Sequence, residues 1–134
     1  MEDEPSPTIT WDVGRFGVSG MLKLADGKTV RFTIDGMDEL ITPAVWNAID
    51  FLVANEPLMR HKVAGSMIER YQDWNDGETI TPEELARRIE LDDVTFLTEG
   101  GGELVYTAGD IFTDHCICVP FDANYEIDEP QLEG

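Results

Sequence analysis

The helical part of the fold is specified by residues 42–74, TPAVWNAIDFLVANEPLMRHKVAGSMIERYQDW. Thr42 is a good helix N-cap, and Pro43 suits the first helical position because proline has no N–H to leave unpaired. Apolar residues then recur at spacings of three and four, which is typical of a helix that packs one face on a core. The residues of this predicted stripe are Val45, Trp46, Ile49, Leu52 and Val53.

A break is predicted in the middle of this stretch. Proline disfavours helical conformation at the residue before it, so Asn55-Glu56-Pro57 predicts the end of the first helix. A second helix is then expected to end near Gly77, with its apolar side formed by Met59, Val63, Met67, Tyr71 and Trp74. Trp46 and Trp74 are in phase with the two stripes, so both are predicted to be core residues.

A third, short helix is predicted to start at Thr81. The sequence Thr81-Pro82-Glu83-Glu84 repeats the start signal and adds a capping box, in which Thr81 and Glu84 bond to each other's backbone N–H groups. Leu85 and Ile89 would seat this helix on the core.

Strand signals lie on both sides of the helical block. Upstream, residues 8–13 form a first run, and Asp26-Gly27 between the runs 21–24 and 29–34 is a strong hairpin signal. Downstream, strands are predicted at 94–97, 104–106, 114–121 and 125–127.

Because strands and helices are segregated along the chain, the predicted fold class is α+β. The expected architecture is an antiparallel sheet of five to seven strands, with two main helices and one short helix on one face. Residues 1–7 are predicted to be a disordered acidic lead, and residues 8–134 a single domain.

The charge balance restricts the partners. The 134 residues include 9 Lys and Arg against 28 Asp and Glu, a net charge of −19, and no Lys or Arg follows Arg88. Nucleic acid and anionic membranes are therefore disfavoured, since both are bound through basic side chains. A basic protein partner is favoured, because a negative field steers its approach. The alternative is that the charge serves solubility alone.

Location and redox state follow from two further features. No apolar run approaches the roughly 20 residues that span a bilayer, and the acidic, Pro-rich start is unlike a signal peptide. Cys116 and Cys118 lie two apart on a predicted strand, so their Cα atoms are about 6.5–7 Å apart, at or beyond the disulfide limit. Reduced, buried thiols and a cytoplasmic location are expected.

Motifs for catalysis and metal binding are missing or incomplete. The chain has no phosphate-binding glycine loop and no nucleophile elbow, so no enzymatic activity is predicted. Strand alternation places His115 on the opposite face from both cysteines, so they do not converge on a zinc ion. Neither a metal nor another cofactor is predicted.

The sequence also carries a resemblance. Val105–His115 (VYTAGDIFTDH), followed by Val119–Asp122 and Tyr125–Ile127, resembles the C-terminal pattern of small bacterial domains of unknown function. Pro120 departs from that pattern. The resemblance implies a domain of the kind often found in toxin–immunity neighbourhoods, and it carries no catalytic residues.

The leading hypothesis is a non-enzymatic acidic binding module, immunity-like, that neutralises a basic protein partner. Clustered carboxylates steer association and pair with basic side chains at the interface. The predicted partner-binding acids are Glu99, Glu103, Asp110, Asp114, Asp122, Glu126 and Asp128. Trp11 or Tyr125 would supply an aromatic anchor.

Two other functions remain open at this point. One is a small-molecule or metal-binding domain with a site near Asp110–Cys118, where Asp110, Asp114 and His115 could face one cleft. The other is a structural accessory subunit.

Overall fold

The computed structural model describes residues 9–14, 17–35, 43–109, 111–112 and 115–133. Its elements, in chain order, are β1 (Ile9–Gly14), β2 (Gly17–Lys23), β3 (Thr29–Asp35), α1 (Pro43–Ser66), α2 (Ile68–Trp74), α3 (Pro82–Arg88), β4 (Glu90–Leu97), β5 (Gly102–Thr107), β6 (Cys116–Phe121) and β7 (Gln131–Glu133). The predicted lead at residues 1–7 lies outside the described residues.

The seven strands form one open sheet in sequence order, β1 to β7. All neighbouring strands are antiparallel except β3 and β4, which are parallel. The helical block lies between these two strands and acts as the long crossover that a parallel pair requires. The α+β class is confirmed, and the sheet is mixed at this single pair.

One face of the sheet and the helices enclose the core. Val30, Phe32 and Ile34 alternate with exposed or half-buried neighbours on β3. Val45 and Ile49 of α1 belong to the same buried cluster. Buried residues therefore recur every second position along the strands and every three to four positions along α1. These two apolar surfaces pack together on one side of the sheet.

The first helix does not end before Pro57. Helix α1 runs for 24 residues, through Pro57 to Ser66. The helical structure is interrupted at Met67 instead, immediately before α2 begins. Pro57 lacks the N–H that would bond the carbonyl of Val53. The backbone N–H of Ala25 donates to that carbonyl from the β2–β3 turn, at 3.2 Å. A tertiary hydrogen bond thus replaces the helical one, and the helix continues.

Two tryptophans predicted as core residues are partly exposed. Trp46 is 38% exposed and Trp74 is 43% exposed. On α1 the inward positions are taken by Val45, Ala48 and Ile49, which leaves Trp46 about 100° around the helix from Val45. Trp74 is the last residue of α2, so the helix has no following turn that could cover the Trp74 side chain.

The predicted strand at 125–127 is wrong. Only Ile127 pairs there, as an isolated bridge with Phe121. The last strand is β7, which pairs with the first half of β6. Along the second half of β6, the carbonyl of Pro120 accepts a hydrogen bond from the N–H of Asp128 at 2.8 Å.

Within the described ranges, none of the helices combines the length and the apolar character needed to cross a membrane.

Candidate functional site

The C-terminal loop forms an open groove of about 390 Å³. Its apolar lining comes from Pro120, Phe121 and Ile127, and its carboxylates come from Asp122, Glu126 and Asp128. We call this feature the acidic groove. All three carboxylates belong to the predicted partner-binding set, so the structure brings this part of the set together around one concave surface.

A closed turn holds the groove in shape. The Oδ1 atom of Asp122 accepts hydrogen bonds from the backbone N–H groups of Asn124, at 2.9 Å, and Glu126, at 3.0 Å. The backbone N–H of Asp122 in turn donates to the carbonyl of Glu126 at 3.0 Å. Asp122 therefore fixes the loop, while the exposed side chains of Glu126 and Asp128 border the groove.

Tyr125 anchors this turn to the helical layer. Its backbone has φ of 65°, a left-handed conformation that non-glycine residues seldom adopt. Its ring stacks on that of Phe51 of α1, with ring centroids 4.3 Å apart and planes 11° apart. The aromatic ring predicted as an anchor for a partner is thus used, on one of its faces, to hold the acidic groove against α1.

A second acidic turn packs beside the groove. Gly101 lies against the backbone of Phe121 and Asp122, where a Cβ atom would be 2.7 Å from the Phe121 carbonyl oxygen. Glu99 is exposed in this turn, and Glu103 pairs with Pro120 in the β5–β6 register. The glycines of this turn allow two acidic segments to approach each other closely.

Three other residues of the predicted partner-binding set lie wholly or partly outside the described residues. Asp110 and Asp114 lie outside the described residues. Trp11 pairs with Gly20 in the β1–β2 register, but its side chain lies outside them too.

Near the alternative site at Asp110–Cys118, His115 is used structurally. Its Nδ1 atom lies 2.9 Å from the carbonyl oxygen of Phe112, so Nδ1–H donates there. Its ring packs edge-on against Trp74, at a centroid distance of 5.3 Å. Among the described residues, no group of three or more His, Cys, Asp or Glu side chains is arranged to hold a metal ion.

Both thiols of β6 are free, as expected. Cys118 is buried, whereas the prediction that Cys116 is buried is wrong, because that side chain is half-buried at the start of the strand. Burial, with the nearby carboxylates of Glu133 and Glu103, raises the pKa of the Cys118 thiol to about 11. A thiol that stays protonated at neutral pH is a poor nucleophile and a poor metal ligand.

A buried polar cluster escaped the sequence analysis. Glu56 is 2% exposed and accepts a hydrogen bond from the Tyr106 hydroxyl at 3.2 Å. The Nε atom of Arg60 lies 3.5 Å from the same carboxylate oxygen, an ion-pair distance. Burial raises the pKa of the Glu56 carboxyl, although Arg60 and Tyr106 oppose the shift. Burial and the Glu56 charge likewise raise the pKa of Tyr106.

The position of Glu56 in the stripe is the signal that could have revealed it. Glu56 falls four residues after Leu52 and three before Met59, which is a core position if the helix continues. Because a break was predicted at Pro57, Glu56 was not counted as part of the buried stripe. The cluster joins α1 to β5 inside the core.

The family model of DUF2262, described as "Uncharacterized protein conserved in bacteria", matches residues 26–132. The chain belongs to the DUF2262 family. The matched DUF2262 segment begins in the β2–β3 turn and reaches β7, so it contains both the acidic groove and the Glu56 cluster. The resemblance to small bacterial domains of unknown function is confirmed at this level. No curated protein and no solved structure matches the chain.

Proposed function

We propose that this DUF2262 domain is a non-enzymatic binding protein, immunity-like, that neutralises a basic protein partner in the bacterial cytoplasm. The acidic groove is the observation that carries the proposal. Phe121 and Ile127 line this groove together with Asp122, Glu126 and Asp128. Such a groove suits a segment that is basic and amphipathic at once.

Lysine and arginine side chains fit this combination of surfaces. Their aliphatic stems pack on apolar groups while the charged heads reach polar ones. A guanidinium group can also stack on a flat surface and bind a carboxylate through two hydrogen bonds. Exposed ion pairs contribute only about 0.2–1 kcal/mol, whereas desolvated pairs at an interface reach roughly 1.5–7 kcal/mol. Phe121 and Ile127 give the groove apolar surface. A basic side chain that packs on this surface displaces water, so its ion pair with a carboxylate of the groove becomes partly desolvated.

The groove is also held in place before any partner arrives. The Asp122 turn and the stacking of Tyr125 on Phe51 fix the loop that carries Glu126. A loop that is already ordered loses less conformational entropy on binding, so more of the contact energy appears as affinity.

The wider charge distribution supports the approach of a basic partner. All twelve acids after Arg88 lie in a segment without a single Lys or Arg. A field of one sign raises the association rate of an oppositely charged protein, and this effect weakens as salt is added.

The proposal can be tested with a nona-arginine peptide as the probe. Calorimetric titration of the wild type at about 50 and 300 mM salt is compared with the Glu126→Gln/Asp128→Asn variant. The matched control is Asp73→Asn/Glu78→Gln, which removes the same charge from exposed positions elsewhere. We expect the groove variant to bind about 3–10 times more weakly than the control, corresponding to the loss of one or two surface ion pairs.

A capture experiment then extends the test to natural partners. A basic protein retained from bacterial cytoplasm by the wild type and the control, but not by the groove variant, supports the proposal. Equal binding by both variants, to the peptide and to every captured protein, would show that the acids only confer solubility.

A further inference from the structure

One side of strands β5 to β7 faces away from the helices. On β6, Ile117 and Val119 belong to the core cluster that the helices share. Cys116, Cys118 and Pro120 alternate with them and therefore point to the other side of the sheet. We call this side of β5, β6 and β7 the outer face.

The outer face carries two carboxylates, one on each side of β6. Glu103 of β5 pairs with Pro120, and Glu133 of β7 pairs with Cys116. Burial is the main cause of the raised pKa of the Cys118 thiol, and the charges of Glu133 and Glu103 add to it, so both carboxylates lie near this thiol. Within the described ranges, no basic side chain lies within ion-pair distance of either carboxylate.

Two acids of β4 differ in this respect. The Oδ2 atom of Asp93 lies 3.9 Å from the Nε atom of Arg31, and the carboxylate of Glu90 forms an ion pair with Lys28. These carboxylates have basic partners within the chain. Glu103 is half-buried and has none. A carboxylate that is partly desolvated and unpaired gains most from a basic group that another molecule supplies.

Pro120 connects the outer face to the acidic groove. It lines the groove together with Phe121 and Ile127, and its side chain is exposed. Its cross-strand partner is Glu103, and the Cβ atoms of such a pair are about 5 Å apart. The acidic groove and the outer face therefore form one continuous surface around Pro120.

We propose that the basic partner of the acidic groove extends over Pro120 onto the outer face and places further Lys or Arg side chains at Glu103 and Glu133. This inference rests on the proposed function and specifies the partner as an extended basic segment. Between Glu103 and Glu133 the surface crosses two strand spacings and the length of β6 from Pro120 to Cys116, a distance of about 16 Å. An extended chain covers that distance in about five residues.

The surface between the two carboxylates suits the stems of basic side chains. Val105 pairs with Cys118 at its centre. Val105 and Cys116 are half-buried, and Pro120 is exposed. These side chains are compact and uncharged. The aliphatic stems of Lys and Arg pack on such surfaces while their charged ends reach the neighbouring carboxylates.

Calorimetric titration with nona-arginine at about 50 mM salt tests this extension on the full chain. The extended peptide is about 30 Å long, which is sufficient to reach both regions. The outer-face variant is Glu103→Gln/Glu133→Gln. The matched control, Glu69→Gln/Glu78→Gln, makes the same two changes at exposed positions outside the sheet. We expect one peptide per chain, and binding about 3–10 times weaker for the outer-face variant than for the control. Melting curves verify that each variant is folded.

The groove variant Glu126→Gln/Asp128→Asn, titrated in parallel, separates this inference from the proposed function. Weaker binding by the groove variant and by the outer-face variant, with one peptide per chain, supports the continuous surface. Weaker binding by the groove variant alone would overturn the extension and leave the proposed function standing. Two peptides per chain would also overturn the extension, because the groove and the outer face would then be separate sites. If neither variant differed from the control, both proposals would fall.

Discussion

The carbonyl oxygen of Val53, left without its helical donor by Pro57, accepts a hydrogen bond from the backbone N–H of Ala25 at 3.2 Å. Through this bond the β2–β3 turn supports α1 where the helix cannot support itself. The same part of the helix carries Glu56, so a proline and a buried carboxylate lie side by side on α1. The hairpin turn and the helix are therefore expected to be coupled in stability.

Ala25→Pro should destabilise the protein by about 1–3 kcal/mol, because it removes the donor and leaves a carbonyl unsatisfied. Ala25 is the second residue of the turn closed by the Gly27 N–H and the Leu24 carbonyl, a position whose φ suits proline. Adding Pro57→Ala should recover most of the loss, since residue 57 can then donate to Val53. Urea unfolding of the two single variants and the double variant measures this coupling, and strictly additive changes would contradict it.

Glu56→Gln should change the dependence of stability on pH. Burial raises the folded-state pKa of Glu56 above its ordinary 4.5, so the stability linked to this group is complete below pH 4.5 and declines as pH rises through the folded-state pKa. Glutamine does not titrate. Unfolding free energies between pH 4 and 8 should therefore show the variant gaining on the wild type as pH rises. Glu78→Gln, at an exposed position, serves as the control. A constant or opposite difference would be inconsistent with a raised pKa.

Gly101→Ala should destabilise the domain by about 2–3 kcal/mol. Gly101 has φ of 80°, and a Cβ atom there would lie 2.7 Å from the carbonyl oxygen of Phe121. Gly77 provides a matched control, because it has φ of 79° but no neighbour within 4 Å. Gly77→Ala should therefore show only the left-handed backbone cost, about 1–2 kcal/mol. Thermal melting compares them, and equal losses would mean that close packing at Gly101 is unimportant.

Cys118 should resist alkylation while the protein is folded. With a pKa of about 11, roughly one thiol in a thousand is ionised at pH 8, and the side chain is buried as well. Iodoacetamide labelling followed by mass spectrometry should modify Cys118 only after unfolding in urea. Rapid labelling of Cys118 in the Cys116→Ser variant without denaturant would contradict the raised pKa.

Short-range signals were sufficient for much of the fold. The predicted capping box at Thr81 is present, with Thr81 Oγ1 accepting from the Glu84 N–H and the Thr81 N–H bonded to the Glu84 carboxylate. The Asp26-Gly27 turn and the alternation of Val30, Phe32 and Ile34 are likewise realised. These features depend on a few neighbouring residues and on the periods of helix and strand, so they can be read directly along the chain.

The features that could not be read along the chain depend on contacts between residues that are distant in sequence. Pro57 stays helical because Ala25 supplies a hydrogen bond, and Glu56 is tolerated in the core because Tyr106 and Arg60 meet its carboxylate. From the sequence alone, the acids after Arg88 indicated a negative electrostatic field, but they did not show which of them lie together in one site. The closed turn at Asp122 and its packing on the neighbouring glycine turn gathered three of them around one groove. Composition determines the charge of a chain, but only the folded backbone determines which charges share a surface.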